Sequence, residues 1–120
     1  MSGSIDRFLA ARYRYGKYEC LDFARDVWLW ATGEDLSDRL GELISAGSGR
    51  RIARSRNEVR AFCKLSAPVD PCLVLMRRPR SQPHAGVYLR GRVLHLTERG
   101  AEFHAPALAS RGFTEVSYYR

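Results

Sequence analysis

Cys20, His84 and His95 have the side-chain types and the placement that could support nucleophilic catalysis. Cys20 opens an apolar run typical of a helix, and the unpaired N–H groups at a helix start favour a thiolate over a thiol. A cysteine nucleophile also needs a histidine base, and that base needs a third polar group to orient its ring. We therefore predict a lowered pKa for Cys20, with His84 as the base and His95 as the orienting residue.

Each of these residue types also has a purely structural interpretation. A cysteine is commonly a small buried hydrophobe, and a lone histidine is commonly a surface residue or a hydrogen-bonded core residue. We assign those structural roles to Cys63, to Cys72 and to His104, which is predicted to lie in a loop. Three cysteines without a CxxC spacing favour neither a disulfide framework nor a zinc site, so no metal and no cofactor is expected.

The two catalytic histidine candidates lie in the segment HAGVYLRGRVLHLT, which has the alternation of a β-hairpin. A two-residue turn at Arg90-Gly91 would pair Gly86 with His95 and place His84 and His95 on one face as diagonal neighbours. The opposite face of the hairpin is apolar and is predicted to be core. A turn with an odd number of residues would separate the histidines, so their proximity depends on the turn length.

The first half of the chain is predicted to be mainly helical. The strongest helix covers Cys20–Thr32, where apolar residues occupy a wide arc and Gly33 follows at the C-terminal end. A shorter helix is predicted to begin at Ser4 as its cap and to end before Gly16. Two further helices are predicted at residues 36–44 and 57–65, with a loop at residues 46–51 between them.

The second half is predicted to be an antiparallel sheet. Short runs rich in Val, Leu and Tyr predict strands at CLVLM, HAGVYL and RVLHLT, and a last strand is predicted at residues 113–119. Helices followed by such a meander indicate an α+β fold in which the Cys20 helix lies across the sheet. We interpret residues 1–120 as one domain, with a mainly helical part at 1–67 and a sheet part at 72–120.

The composition limits the classes of partner. The 120 residues carry 20 Lys and Arg against 13 Asp and Glu, and the net charge of +7 favours an anionic partner: nucleic acid, an anionic cell wall or acidic lipid. Arginine clusters at residues 50–60 and 77–80 raise the nucleic-acid alternative, but no RNA-binding motif or recognition helix accompanies them. We therefore expect no specific nucleic-acid ligand. No apolar run has the roughly 20 residues of a membrane span, and no signal-peptide pattern is found at the start.

The order of several motifs resembles the NlpC-type cysteine peptidases of bacterial cell walls and phage tails. These motifs are YRYG at residues 13–16, ECLDFA around Cys20, and then CLVLM, HAGVYL and RVLHL. The resemblance covers residues 13–119 and implies a papain-like α+β fold. In that fold the nucleophile lies at a helix start, the base at the head of a strand, and a second polar residue on the next strand. Cys20, His84 and His95 match those positions.

Three other residues receive roles only through this resemblance. Tyr13 matches a tyrosine that helps to line the oxyanion site, with Tyr15 and Tyr18 as the alternatives. Glu19 and Asp22 stand where the family has the first and last residues of a D-C-S-G motif, so the resemblance places them beside the bound substrate.

The resemblance implies a cysteine peptidase that cuts amide bonds in the peptide stems of peptidoglycan. The short phage members of the family indicate a tail-tip subunit of the virion, made in the host cytoplasm without a signal peptide. Its partners would be the stem peptide and other tail-tip proteins. The alternative is a catalytically inactive tail-tip hub or plug with the same fold, in which the altered residues beside Cys20 reflect lost activity.

Overall fold

A six-stranded antiparallel sheet forms the centre of the described part of the chain, which is residues 4–37, 39 and 62–120 of a computed structural model. The strands are β1 (Lys64–Leu65), β2 (Cys72–Arg77), β3 (His84–Leu89), β4 (Arg92–Thr97), β5 (Gly100–His104) and β6 (Glu115–Tyr119). Their order across the sheet is β1-β6-β2-β3-β4-β5. The predicted strands at CLVLM, HAGVYL and RVLHLT are confirmed, and so is the α+β class.

Three helices are described, namely α1 (Asp6–Leu9), α2 (Cys20–Thr32) and α3 (Pro106–Ala109). The bounds of α2 are those predicted, and Gly33 ends the helix with φ of 80°, donating its N–H to the Leu29 carbonyl. This left-handed conformation is one that glycine adopts without a steric penalty.

The first helix is shorter than predicted, because it ends at Leu9 and does not continue towards Gly16. The chain instead folds into a turn in which Arg14 pairs with Tyr18, and the Tyr18 N–H donates to the Arg14 carbonyl at 2.7 Å. Gly16 lies in this turn with φ of 73°. The turn brings the chain directly to the start of α2.

The other helix predictions fall mostly on residues outside the described part. The predicted helix at 36–44 and the predicted loop at 46–51 are described only at residues 36, 37 and 39. The predicted helix at 57–65 is described only from residue 62, and its end is wrong because Lys64 and Leu65 form β1. They pair with Tyr119 and Tyr118, at the far end of the sequence.

Strand β5 was not predicted, and it corrects the loop assignment of His104. Its residues pair with β4 in the register Val93↔His104 and His95↔Glu102. Because Thr97 pairs with Gly100, Glu98 and Arg99 form the connecting turn. The last strand starts at Glu115, two residues after the predicted start.

The main core lies between α2 and one face of the sheet. The helix contributes Phe23, Ala24, Val27 and Trp28, and the sheet contributes Leu73, Leu75, Ala85, Val87, Leu94 and Leu96. A smaller cluster on the other face contains Val74, Met76, Val93 and Ala109, with Phe113 packed against it. His84 and His95 alternate with core residues facing α2, so they lie on the side of the sheet that α3 covers. The predicted placement of α2 across the sheet is confirmed.

Candidate active site

A cleft of about 1200 Å³ opens where β3 begins, next to the start of α2. Five of the six predicted site residues line it: Tyr13, Glu19, Cys20, His84 and His95. Asp22, the sixth, is not part of the lining. The cleft therefore brings the predicted nucleophile and both predicted histidines to one cavity, although Cys20 is more than sixty residues from His84 in the sequence.

The β3–β4 hairpin places the two histidines side by side, as a two-residue turn predicts. Leu89 pairs with Arg92 across the two-residue turn, and the turn residues Arg90 and Gly91 have φ of 52° and 79°. Both values belong to the turn type that suits the twist of a two-residue hairpin. His84 Nε2 and His95 Nδ1 are 2.7 Å apart and share a hydrogen bond. The predicted diagonal pairing of the histidines is confirmed.

The ring of His84 is held by aromatic packing as well as by this hydrogen bond. It stacks on Phe113, with 5.6 Å between the ring centroids and 12° between the planes. Arg78 covers the Phe113 ring at 4.4 Å, and its Nε donates to the Gly112 carbonyl at 3.0 Å. Such contacts restrict the orientation of the imidazole before any substrate binds.

Both imidazoles are neutral at pH 7. Burial lowers the pKa of His84 to about 4, and the neighbouring His95 and the Arg78 charge add to this lowering. Burial also lowers the pKa of His95, where the negative charge of Glu102 opposes it. A neutral His84 can accept a proton, which is the state that a general base requires.

Cys20 lies half-buried at the first position of α2. Burial raises the pKa of its thiol, hydrogen bonds from the backbone N–H groups of Ala85 and Leu21 lower it, and the carboxylates of Glu19 and Asp22 raise it. The net direction is upward. The predicted lowering of the Cys20 pKa is therefore wrong, because burial and two nearby carboxylates outweigh the N–H groups of the helix start.

The resting site is thus a thiol beside a neutral imidazole. Within the described part of the chain no hydrogen bond joins the Cys20 thiol to either histidine. His84 bonds to His95 through Nε2, so Nδ1 is the ring nitrogen that remains for Cys20. An attack by the Cys20 sulfur on a bound carbonyl group would require transfer of the thiol proton, because burial and nearby carboxylates disfavour the thiolate.

Glu19 and Asp22 stabilise the start of α2. The Glu19 N–H donates to Asp22 Oδ2 at 2.9 Å, and the Glu19 carboxylate accepts the N–H of Asp22 in return. This reciprocal pair is a capping box, which satisfies backbone donors that the helix leaves free. Both residues thus have a structural role at the cap, and of the two only Glu19 also lines the cleft.

Tyr13 contacts the same cap. Its hydroxyl donates to Glu19 Oε1 at 2.9 Å, and this hydrogen bond is the main cause that raises the pKa of Tyr13 to about 12. Neither alternative tyrosine lines the cleft. Tyr15 is 87% exposed, and Tyr18 donates to Asp26 beside a separate groove. Of the three tyrosines, only Tyr13 is placed to contact a substrate near Cys20.

Among the other cleft residues, three that act on the histidines were given no site role by the sequence analysis: Arg78, Glu102 and Phe113. Glu102 could have been found, because the alternation in GAEFH places it opposite His95 once β5 is recognised as a strand. Arg78 and Phe113 reach His84 from loops that flank β2 and β6, and no local pattern marks such a contact.

All three cysteines are free thiols, with Cys63 exposed and Cys72 buried. In the described ranges, no group of three His, Cys, Asp or Glu side chains is arranged to hold a metal ion. None of the described helices has the length and apolar character needed to cross a membrane. The arginine cluster at residues 50–60 lies outside the described residues.

No known protein family matches the sequence when it is scanned with family models, and no curated protein is significantly similar to it. A functional assignment therefore depends on the geometry of the cleft and on the order of the motifs.

Proposed function

We propose that this chain is a cysteine peptidase of papain-like fold that cuts amide bonds in the peptide stems of bacterial peptidoglycan. The observation that carries the proposal is the hydrogen-bonded pair of His84 and His95, 2.7 Å apart, in the cleft that Cys20 lines from the start of a helix. A nucleophile, a neutral base and an orienting group are the minimum set for acyl transfer through a thioester. The motif resemblance to NlpC-type peptidases supports the same class.

The protonation states indicate how the reaction would start. Since the resting pair is a thiol and a neutral imidazole, His84 Nδ1 takes the thiol proton as Cys20 Sγ attacks the carbonyl carbon of the scissile amide. The His95 ring accepts a hydrogen bond from His84 Nε2–H and stabilises the imidazolium that forms. The backbone N–H of Cys20, at the first helical position, has no helical acceptor and can donate to the developing oxyanion.

The second half of the reaction uses the same base. The proton on His84 passes to the leaving amine as the C–N bond breaks, and a thioester remains on Cys20. Water then loses a proton to His84 and attacks the thioester. This step releases the carboxylate product and restores the thiol.

We propose that the protein is located at the tip of a phage tail. The short phage members of the resembling family support this, and the net charge of +7 favours approach to an anionic cell wall. The partners in this proposal are the peptide stem and other tail-tip proteins, and the chain would be made in the host cytoplasm.

A second candidate function is an inactive structural hub or plug in the same tail tip. Two observations favour it: the carboxylates of Glu19 and Asp22 contribute to the raised pKa of Cys20, and the Tyr13 hydroxyl is already bonded to Glu19. Both features make the thiol less reactive or the oxyanion site less available.

Substitution of Cys20 separates the two functions. With catalysis as the function, the purified chain releases new amino groups from stem peptides, and Cys20→Ala lowers this rate by roughly 10³-fold or more. The variant should keep its free energy of unfolding within about 1 kcal/mol, because one thiol at the edge of a cleft contributes little packing. Amine release and thermal unfolding are the measurements.

Cys63→Ala is the matched control, because Cys63 is exposed and does not line the cleft. It should retain full activity. A wild-type chain that cleaves no stem peptide, together with a Cys20→Ala variant that supports normal tail assembly and infection, would instead establish the structural function.

A further inference from the structure

His95 carries a buried ring nitrogen that has no hydrogen-bond partner among the described residues. Its Nδ1 bonds to His84, whereas its Nε2 is buried and unpaired within that part of the chain. His95 is 3% exposed, so this nitrogen is shielded from bulk solvent. Buried polar groups without partners are rare in folded proteins, and this one lies beside the proposed base.

The proton on that ring decides what His84 can do. A neutral imidazole has one N–H and one bare nitrogen, so the hydrogen bond between the two rings has two possible directions. With the His95 proton on Nε2, Nδ1 accepts from His84 Nε2–H, and His84 Nδ1 is bare and basic. With the His95 proton on Nδ1, His84 must carry its own proton on Nδ1 and cannot accept one from Cys20.

Glu102 is the charged residue directly opposite His95. The register of β4 and β5 pairs the two residues, and both line the cleft. Thr97 Oγ1 donates to Glu102 Oε2 at 3.1 Å, and Arg99 lies 3.4 Å from the same oxygen, so the carboxylate is held in place. The Glu102 charge raises the pKa of His95, and His84 already occupies Nδ1, so the charge favours a proton on the remaining ring nitrogen, Nε2.

The other charged or titratable groups around His95 do not have this effect. His84 on β3 is already bonded to Nδ1. His104 on β5 lowers the pKa of His95, and its Nε2 lies 3.8 Å from Glu102 Oε1. The residues of α3, which packs near this side of the sheet, carry no charge. Glu98, on the turn between β4 and β5, lines the same cleft but is not paired with His95.

We propose that Glu102 is a positioning residue that keeps the His95 proton on Nε2 and thereby leaves His84 Nδ1 free to accept the proton of Cys20. The catalytic consequence rests on the proposed peptidase function, whereas the tautomer of His95 does not. The proposed site then consists of four side chains in series: Cys20 on α2, His84 on β3, His95 on β4 and Glu102 on β5. Only Cys20 and His84 touch the reacting atoms.

Nitrogen–proton correlation NMR of the imidazole rings tests this directly in the full chain at pH 7. The wild type should show the His95 proton on Nε2. Glu102→Gln removes the charge but keeps an oxygen that Thr97 can contact, and it should move part of the His95 population to the Nδ1–H tautomer and lower the His95 pKa. Glu98→Gln is the matched control in the same cleft and should leave the tautomer unchanged, while Glu102→Asp should restore it.

Activity on a stem peptide provides the second measurement. Glu102→Gln should lower kcat by about tenfold or more with little change in KM, because the substrate contacts are intact and the base is in the wrong tautomer. Glu115→Gln, at an exposed carboxylate on β6 outside the cleft, should leave both constants near the wild-type values.

Each outcome separates this inference from the peptidase function. A wild-type His95 with its proton on Nδ1, or a tautomer that is the same in wild type and Glu102→Gln, overturns the role of Glu102 even if the chain is an active peptidase. A wild type that cleaves no stem peptide but shows the Glu102-dependent tautomer contradicts the peptidase function and supports the positioning role.

Discussion

At the scale of single residues, Gly86 makes room for His95. A Cβ at Gly86 would lie 3.0 Å from His95 Cβ, 3.1 Å from the Leu94 carbonyl oxygen and 3.1 Å from Val93 Cγ1. His95 Cβ and the Leu94 carbonyl oxygen are fixed by the backbone of β4, so they cannot move without disturbing the pairing of β3 and β4. Gly86 is therefore required by the close approach of β3 and β4 beside the histidine pair.

Gly86→Ala should destabilise the domain and weaken the bond between the histidines. Inserting a methyl group into such a packed position costs about 1–3 kcal/mol of the free energy of unfolding. The displacement acts first on His95, so the imidazole resonances of both histidines should change. Urea denaturation and histidine NMR are the measurements, and a variant with wild-type stability and spectra would contradict the proposed close packing.

At the scale of elements, the start of α2 serves two purposes that oppose each other. The capping box of Glu19 and Asp22 stabilises the helix, and negative charge near a helix start is favourable. The same carboxylates raise the pKa of Cys20, although burial raises it more. A helix start that is optimal for stability is thus less suited to forming a thiolate.

Substitutions at Asp22 separate the cap from the charge. Asp22→Ala should cost about 0.5–2 kcal/mol of stability, because the Glu19 N–H loses its acceptor. Asp22→Asn keeps an oxygen that can accept this N–H and should cost less. Both variants should lower the pKa of Cys20, measured as faster labelling by iodoacetamide at a given pH. Equal stability of the two variants, or unchanged labelling, would argue against this division of roles.

At the scale of the whole molecule, the buried histidine pair links stability to pH. The pKa of His84 is about 4 in the folded chain against 6.5 for an exposed histidine, so the unfolded chain binds more protons between these values. Stability is then fully present above pH 6.5 and is lost as the pH falls towards 4. A shift of this size corresponds to roughly 3 kcal/mol.

The free energy of unfolding, measured as a function of pH, should show this loss of stability. His84→Gln should flatten the stability profile between pH 6.5 and 4, because the buried group that resists protonation is gone. Lys17→Gln, at an exposed side chain outside the cleft, is the control and should retain the profile of the wild type. A profile that is the same in wild type and His84→Gln would show that other groups control the acid response.

Local patterns in the sequence were sufficient for the elements that carry the candidate site. Helical periodicity and Gly33 predicted both ends of α2, and a two-residue turn at Arg90-Gly91 predicted the register of β3 and β4. Since side chains alternate along a strand, that register alone brought His84 and His95 to one face. Periodicity and turn length act over a few residues, so they can be read from the sequence.

The tertiary structure decided the features that depend on distant parts of the chain. Strand β1 forms because residues 64–65 pair with residues 118–119, and Phe113 stacks on His84 from a different loop. The carboxylates beside Cys20 are visible in the sequence, but the burial that contributes most to its raised pKa is not. Burial and contact between distant segments exist only after folding, so the sequence determined the pairing of His84 with His95, whereas the fold determined their contacts with distant segments and their protonation.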